Sequence, residues 1–231
     1  MTSPTVHTFY QSNIPDRMVE AQAQVFAHLG IPLKQWKDDN ATHCDWINTL
    51  LRDETLDEIV MIADIDAFPL SREGYENMAA QAANGMVAGL AQVSNHKDPD
   101  RIYAGPMFMA VRRENYKALG APSMCRTKIG DVAQILTDKA HDAGIEVALT
   151  YPTFALQPRW ALAGHGVYGI GTFYGDNAFF HLFESRLSRS QDLFYAVAEG
   201  TISGRHDWQR YLDIMDTQGP TKKKKKFLGL F

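Results

Sequence analysis

The alternation of strand-like and helix-like segments in the first 70 residues is the feature that most constrains how this chain folds. β-branched and aromatic residues predict strands at residues 6–10 and 33–37. A third segment, residues 59–63, is a continuous apolar run of the kind that lies buried on both faces of a sheet. Capping residues, including Thr42 with Asp45 in a capping box, and apolar residues at helical spacing predict one helix between each pair of strands. This β-α-β-α-β order predicts a parallel sheet covered by helices.

Two carboxylates, Asp64 and Asp66, directly follow the third predicted strand, and Pro69 then ends strand pairing because it has no N–H to donate. Side chains two residues apart on a strand point to the same side, so both carboxylates can reach one point. Open α/β sheets bind their ligands at the carboxyl ends of strands. Paired carboxylates suit a hard divalent cation, and that cation suits a phosphorylated substrate. The competing interpretation is a surface turn, since short motifs of this kind are common.

Beyond residue 70 the patterns predict further alternation of helices and strands. They predict helices beginning at Ser71, Arg113 and Asp131, strands at residues 86–93, 106–111 and 145–151, and two final helices at 189–199 and 205–217. Residues 152–174, which are rich in glycine and aromatic residues, are predicted to be irregular binding loops. The predicted organisation is one α/β domain at residues 1–187, helices packed on it at 188–219, and a tail at 220–231.

Charge is distributed unevenly along the chain. The formal net charge is −4, but five of the 23 basic residues are Lys222 to Lys226, so the rest of the chain carries 18 basic and 27 acidic residues, a balance of −9. An acidic body argues against a nucleic-acid-binding protein, which usually presents a basic face. The five lysines precede the apolar residues 227–231, a pattern typical of peripheral contact with anionic lipid. A disordered solubilising tail is the competing interpretation.

Cysteine content and the N-terminal sequence predict an intracellular protein. Cys44 and Cys125 form neither a disulfide framework nor a metal-ligand spacing, and we expect both to be reduced thiols. The N-terminus lacks the charged and apolar regions of a secretory signal, and no apolar run approaches the ~18 residues of a membrane-spanning helix. We therefore expect a cytoplasmic protein that contacts the inner membrane surface peripherally if residues 222–231 bind lipid.

The order of these parts resembles the GT-A family of nucleotide-sugar glycosyltransferases, over roughly residues 6–184. Residues 62–69 resemble the family's D-x-D strand end, and residues 105–116 are similar to the strand and helix that border the acceptor site. Residues 130–136 resemble an acidic helix start where inverting members keep a Glu-Asp pair, but here Gly130 replaces the Glu. The resemblance implies a Rossmann-like GT-A fold: a mixed, mostly parallel sheet flanked by helices, with a C-terminal helical extension.

The resemblance also implies a metal-dependent transfer of a hexose from a nucleotide sugar, expected to be a UDP-sugar, with Mn²⁺ or Mg²⁺ as the cofactor. The cation would act as a Lewis acid on the departing diphosphate. Asp66 would bind the ion, Asp64 would contact the ion or the ribose, and Ile65 would lie with them against the donor. His181 would complete the metal site, with His165 as the rival. A histidine among apolar residues is, however, more often a satisfied core residue than a ligand.

Further site residues follow from the same resemblance. Asp131 would be the general base that takes the acceptor hydroxyl's proton in an inverting transfer, although an Asp at a helix start is also an ordinary N-cap. The other candidates would contact the nucleotide: Thr8, Phe9, Tyr10 and Asp39, with Asp38 as the alternative to Asp39. Loop acids are also commonly just solvated. Arg72 and Lys128 could touch diphosphate or acceptor, but are more simply surface charges.

The resemblance does not identify the acceptor, for which a saccharide, a lipid-linked molecule and a protein are the alternatives. Two other functions compete with glycosyl transfer. A phosphatase of the haloacid-dehalogenase type also carries D-x-D after an apolar strand. That family has Thr or Val at the position of Phe68, however, and it carries the motif on its first strand, whereas two predicted strands precede the motif here. A non-catalytic protein that binds a sugar or nucleotide on the same fold would explain the missing Glu at position 130.

Overall fold

A computed structural model describes residues 3–94 and 97–216 of the chain. Its helices and strands follow one another as β1 (Val6–Tyr10), α1 (Asp16–His28), β2 (Leu33–Lys37), α2 (His43–Arg52), β3 (Ile59–Asp64), β4 (Ala67–Pro69), α3 (Arg72–Ala83), β5 (Val87–Ser94), β6 (Asp98–Arg112), α4 (Arg113–Ala118), α5 (Gln134–Asp142), β7 (Val147–Thr150), β8 (Pro152–Ala161), β9 (Val167–Tyr174), β10 (Phe179–Leu182), α6 (Ser188–Ser203) and α7 (Trp208–Asp216). The basic and apolar tail at 220–231 lies outside the described residues.

The central sheet has six strands in the order β2-β1-β3-β6-β5-β7. β1 pairs in parallel with both β2 and β3, and β5 pairs in parallel with β7. β6 is antiparallel to its two neighbours, β3 and β5. Helices cover both faces of this sheet. The predicted fold class, a mixed and mostly parallel sheet flanked by helices and followed by C-terminal helices, is therefore confirmed.

Residues 59–63 of β3 are all apolar because the strand is buried on both faces. Met61 and Ala63 belong to the core formed with α1, α3 and α6, whereas Val60 and Ile62 belong to the core formed with α2, α4 and α5. Successive strand residues point to opposite faces, so a strand covered on both sides must be apolar at every position. The first polar side chain can then appear only where the strand leaves the covered region, which is at Asp64.

The prediction of irregular loops at residues 152–174 is wrong. β8 and β9 pair in an antiparallel hairpin, which extends through β10 and β4 into a second sheet of four strands. The glycines that suggested loops allow close packing instead: a Cβ on Gly169 would lie 2.3 Å from the carbonyl oxygen of Gln157. A Cβ on Gly171 would lie 2.5 Å from Cδ2 of Leu193 in α6. Glycine within a strand marks such close approach.

The helix starts predicted at Ser71 and Arg113 are confirmed, because α3 begins at Arg72 and α4 at Arg113, and the start predicted at Asp131 is wrong. Thr42 caps α2 by accepting from the backbone N–H of Asp45, and Ser71 caps α3 in the same way through Gly74. Asp131, in contrast, does not open a helix, because α5 begins only at Gln134. Ala133, the residue before it, has φ +65°, so the chain turns sharply between Asp131 and the helix.

α6 packs into the same core as the sheet. Phe194 of α6 contacts Phe68 of β4 at 5.0 Å between ring centroids, and Leu193 and Val197 are fully buried in that core. The domain boundary at residue 187 stays a prediction. Within the described residues, no helix is long and apolar enough to cross a membrane.

The expectation of two reduced cysteines is wrong, because Cys44 and Cys125 form a disulfide. The bond joins the first turn of α2 to the segment between α4 and α5, across 81 residues of sequence. Spacing in the sequence gave no sign of it because only the fold brings the two residues together. Disulfides persist mainly in oxidising environments, so this pairing weighs against the cytoplasmic location expected from reduced thiols.

Replacing both cysteines by serine should lower the free energy of unfolding by roughly 2–4 kcal/mol, because the unfolded chain regains the entropy of a long loop. Urea unfolding of the wild type and the double variant C44S/C125S measures this difference. Adding a thiol reductant should destabilise the wild type to the level of the variant and leave the variant unchanged. Equal stability of the wild type with and without reductant would show that the bond contributes nothing.

Candidate functional site

Asp64 and Asp66 lie at the carboxyl edge of the central sheet, and the second sheet brings His181 to them. Asp64 is the last residue of β3, and Asp66 lies in the tight connection to β4. β4 pairs antiparallel with β10, which places His181 opposite Ala67. The backbone N–H of Leu182 donates to the carbonyl oxygen of Asp66 at 2.9 Å, and this bond fixes the two segments side by side.

The three side chains form a compact group of metal-ligand type. His181 Nε2 lies 3.5 Å from Asp66 Oδ1 and 3.9 Å from Asp64 Oδ2. One ligand atom from each of the three residues lies within 4.8 Å of the other two. Carboxylate oxygens suit Mg²⁺ and Mn²⁺, and an imidazole nitrogen is compatible with transition metals such as Mn²⁺. The donor set therefore fits a divalent cation.

His181 is held in place mainly by packing. Its side chain is 6% exposed, and its ring meets that of Phe183 edge-on at 4.1 Å between centroids. Its Nδ1 is buried and has no hydrogen-bond partner within the described part of the chain. Metal-binding histidines usually donate from the second ring nitrogen, and this one lacks that bond. Its orientation therefore depends on the aromatic contact and the β4–β10 pairing.

Electrostatics at the two carboxylates favour a bound cation. The surrounding protein raises the pKa of the Asp64 carboxyl above its ordinary value, chiefly because burial disfavours the charged form. The negative charge of Asp66 adds to this effect, whereas His43 and His181 oppose it. A divalent cation bound here would offset the repulsion from Asp66, which is the smaller of the two causes that raise this pKa.

His43, which no motif in the sequence indicated as a site residue, contacts Asp64. His43 is the first residue of α2, and its Nε2 lies 3.4 Å from Asp64 Oδ1. The signal was present, because a helix that follows a parallel strand begins at the carboxyl edge of the sheet. The stretch from Thr42 to Asp45 predicts a capping box, and that pattern assigns no role to the histidine inside it.

A cavity of about 270 Å³ connects this group with Asp131. Asp64, Asp66 and His181 line it together with Arg126 and Asp131. Arg126 Nε donates to Asp131 Oδ1 at 2.8 Å, and the same oxygen accepts from the backbone N–H of Val132 at 2.9 Å. Asp131 therefore faces the cavity from a loop rather than from a helix end. Arg126 had no signal in the sequence, because its segment shows no periodicity.

The backbone before α5 is fixed by side chains from the neighbouring strand and helix. The N–H of Asp131 lies 3.1 Å from Ser94 Oγ and 3.0 Å from Gln134 Oε1, and Lys97 Nζ donates to the carbonyl oxygens of Thr127 and Gly130. These bonds and the Cys44–Cys125 disulfide hold an otherwise irregular segment against the cavity.

A second cavity, of about 350 Å³, lies beside the first. It begins at the end of β1, where Phe9 and Tyr10 line it, and it continues along Ile65, His43 and Arg186. Its volume is within the usual range for a small-molecule site. Three of the residues expected to contact a nucleotide, Phe9, Tyr10 and Ile65, thus share one cavity.

Other predicted site residues lie apart from both cavities. Thr8 is fully buried, and its hydroxyl has no partner within the described residues. Asp39 accepts from the backbone N–H and the hydroxyl of Ser12, and these hydrogen bonds lower the pKa of its carboxyl. Arg72 pairs with Glu76, and His165 stacks on Tyr151 at 4.9 Å between centroids. Asp38 accepts from the backbone N–H of Asn40. Asp38 and Asp39 therefore hold the loop that follows β2 in place.

No family model matches this sequence, and no curated protein matches it. Among solved structures, the chain is similar to a protein of Desulfovibrio desulfuricans G20 described as a nucleotide-diphospho-sugar transferase, with a TM-score of 0.46 and 11% identity over 65% of this chain and 80% of that one. A Bacillus anthracis protein described as a glucose-1-phosphate thymidylyltransferase gives 0.44 and 9%, over 83% and 95%. A Drosophila β-1,4-galactosyltransferase 7 variant in complex with manganese, UDP-Gal and xylobiose gives 0.38 and 14%, over 72% and 71%. At such scores and identities, these similarities establish neither a family nor an activity.

Proposed function

We propose that this protein is a metal-dependent glycosyltransferase that moves a sugar from a nucleotide sugar, expected from the sequence resemblance to be a UDP-sugar, to an acceptor hydroxyl. The observation that carries the proposal is the meeting of Asp64, Asp66 and His181 in a cavity that also contains Asp131. Two acidic groups with separate roles are what such a transfer requires: one set for the cation and one to accept a proton. The GT-A-like order of the sequence blocks supports the same reaction.

Asp66 and His181 would hold Mn²⁺ or Mg²⁺, with Asp64 as a third ligand or as a contact to the ribose. When bound, the cation would neutralise the departing diphosphate as a Lewis acid. The chain contributes the fixed geometry, because β4–β10 pairing sets the distance between Asp66 and His181. Preorganised ligands avoid the cost of ordering the site when the donor arrives.

Asp131 would take the proton of the acceptor hydroxyl as it attacks the sugar. Its carboxylate is 17% exposed and opens into the cavity. Arg126 holds one carboxylate oxygen and so orients the group. A direct displacement with Asp131 as base would invert the configuration at the anomeric carbon. The acceptor, whether a saccharide, a lipid-linked molecule or a protein, would enter from the side of the loop that contains Arg126.

A non-catalytic nucleotide-binding or sugar-binding protein is the second candidate, and one contact favours it. The Arg126–Asp131 ion pair occupies the proposed base, and Gly130 leaves no second carboxylate beside it. A phosphatase of the haloacid-dehalogenase type fits less well, because the two aspartates follow the third strand of the chain and Phe68 is fully buried in the core.

Asp66→Asn should abolish the effect of manganese on nucleotide binding, because it removes a charged ligand and keeps the side-chain shape. Thermal unfolding measured with a panel of nucleoside diphosphates, with and without Mn²⁺, reports binding as a rise in Tm. The wild type should show a larger rise with UDP and Mn²⁺ together than with either alone. Asp142→Asn, a change at an exposed acid at the end of α5, is the matched control and should behave as the wild type. A manganese-dependent rise that persists in Asp66→Asn would contradict the metal assignment.

Asp131→Asn should lower sugar transfer or donor hydrolysis by about 10²–10⁴-fold, because the amide cannot accept the proton. UDP release from a panel of UDP-sugars measures this, alongside UDP affinity and Tm, which should both stay near the wild-type values. Asp142→Asn again serves as the control. An Asn variant with wild-type turnover would exclude Asp131 as the base. A wild type that binds UDP with Mn²⁺ but never releases UDP from any donor would favour the non-catalytic candidate.

The predicted membrane contact of the tail at 222–231 is tested separately. Co-sedimentation with anionic liposomes at low salt should decrease when residues 221–231 are removed, because each Lys near an anionic surface contributes about 1 kcal/mol. Equal co-sedimentation of the two proteins would leave the tail without a membrane role. The location of the protein in the cell stays a prediction.

A further inference from the structure

The two cavities beside the sheet edge meet at one side chain. Within the described residues, His43 alone lines both the cavity that contains Phe9 and Tyr10 and the cavity that contains the two aspartates. Segment 64–66 lies between the two cavities. Ile65 lines the cavity that contains Phe9 and Tyr10, whereas Asp64 and Asp66 line the other cavity. A molecule that occupies both cavities must therefore pass His43.

We propose that His43 and Arg186 bind the diphosphate of the nucleotide sugar where it passes from one cavity to the other. This inference rests on the proposed function and adds the residues that recognise the phosphates. A nucleoside diphosphate has its phosphates between the nucleoside and the cation. With the nucleoside beside Phe9 and the cation at Asp66, the phosphates lie at the junction of the two cavities, and His43 forms that junction.

Local structure holds the ring of His43 at the junction of the two cavities. Its ring stacks on Phe9 with an interplanar angle of 8° and on Trp46 with an angle of 18°. Because Phe9 and Trp46 are 9% and 7% exposed, the imidazole lies against a largely buried aromatic surface, and its edge is directed towards Asp64. His43 also begins a helix of 10 residues, and the dipole of that helix favours anions at its N-terminus.

Arg186 supplies a positively charged side chain at the same junction. It is exposed, lines the cavity that contains Phe9 and Tyr10, and forms no ion pair with any other residue in the described ranges. Its neighbour Glu184 lines the other cavity and is paired with Arg159, so segment 184–186 also borders both cavities. A guanidinium without a protein partner at such a junction can form two parallel hydrogen bonds to a phosphate.

A purely structural role for His43 is the competing explanation. The ring could serve only to complete the stack with Phe9 and Trp46 and to hold Asp64. Stacking requires only the ring and therefore affects uridine as much as UDP, whereas phosphate binding requires an N–H and affects UDP alone. A role confined to holding Asp64 would instead weaken Mn²⁺ binding measured without nucleotide, and that binding should stay at the wild-type value in His43→Phe if the ring acts on the phosphate. Two variants distinguish the roles. His43→Phe keeps the aromatic stack but has no hydrogen-bond donor, whereas His43→Gln keeps a donor near the position of Nε2 but loses the stack.

The test compares the affinities of the full-length protein for UDP and for uridine, both measured by calorimetry in saturating Mn²⁺. His43→Phe should weaken UDP binding about tenfold or more and change uridine binding less than about twofold, because a hydrogen bond to a charged group is lost. His43→Gln should recover most of the UDP affinity. Arg186→Gln should also weaken UDP about tenfold with uridine unchanged, and Arg186→Lys should recover part of it.

Arg186 is exposed, so its variants decide the question even if a His43 variant fails to fold. Wild-type UDP affinity in both His43→Phe and Arg186→Gln would overturn the inference while leaving the proposed function intact. Equal losses for UDP and uridine would also overturn it, since they would show a structural role. A wild type that binds neither UDP nor any other nucleoside diphosphate with Mn²⁺ would overturn the proposed function, and this inference with it.

Discussion

The pairing of β4 with β10 is the contact on which the site depends. The central sheet alone delivers Asp64 and Asp66 to its carboxyl edge, but it supplies no third ligand from the same strand. Three residue pairs between β4 and β10 join the second sheet to this edge and set His181 opposite Ala67, next to Asp66. The aromatic core formed by Phe68, Phe180 and Phe194 behind this pairing resists displacement of either strand. The group of Asp64, Asp66 and His181 is thus built between the two sheets, neither of which contains it alone.

A second constraint comes from the loop between α4 and α5. That segment has little regular structure, yet Arg126 and Asp131 face the cavity with defined partners. The disulfide attaches Cys125 to Cys44, and each cysteine is the sequence neighbour of a cavity residue, Arg126 or His43. One covalent bond therefore fixes the two walls of the cavity relative to each other. This arrangement combines an irregular loop with a rigid position for its charged residues.

The sequence predicted the elements whose signals are local. The apolar run before Asp64 marked a strand buried on both faces, and the capping residues Thr42 and Ser71 marked the starts of α2 and α3. Predictions from the sequence were wrong or missing for features that depend on tertiary contacts. The glycines at 169 and 171 resembled loop residues because the close approach of Gln157 and Leu193 is visible only in the fold. The disulfide, the turn at Ala133 and the cavity positions of His43, Arg126 and Arg186 likewise depend on residues distant in sequence.

Diffraction from crystals grown with MnCl₂ and UDP, recorded at the manganese absorption edge, tests the central claim most directly. We expect an anomalous peak roughly 2.0–2.3 Å from a carboxylate oxygen of Asp66 and from His181 Nε2, with the UDP diphosphate bound to the side of the manganese ion that faces the cavity. A manganese peak at another place, or ordered UDP bound while Asp64, Asp66 and His181 contact no metal, would contradict it.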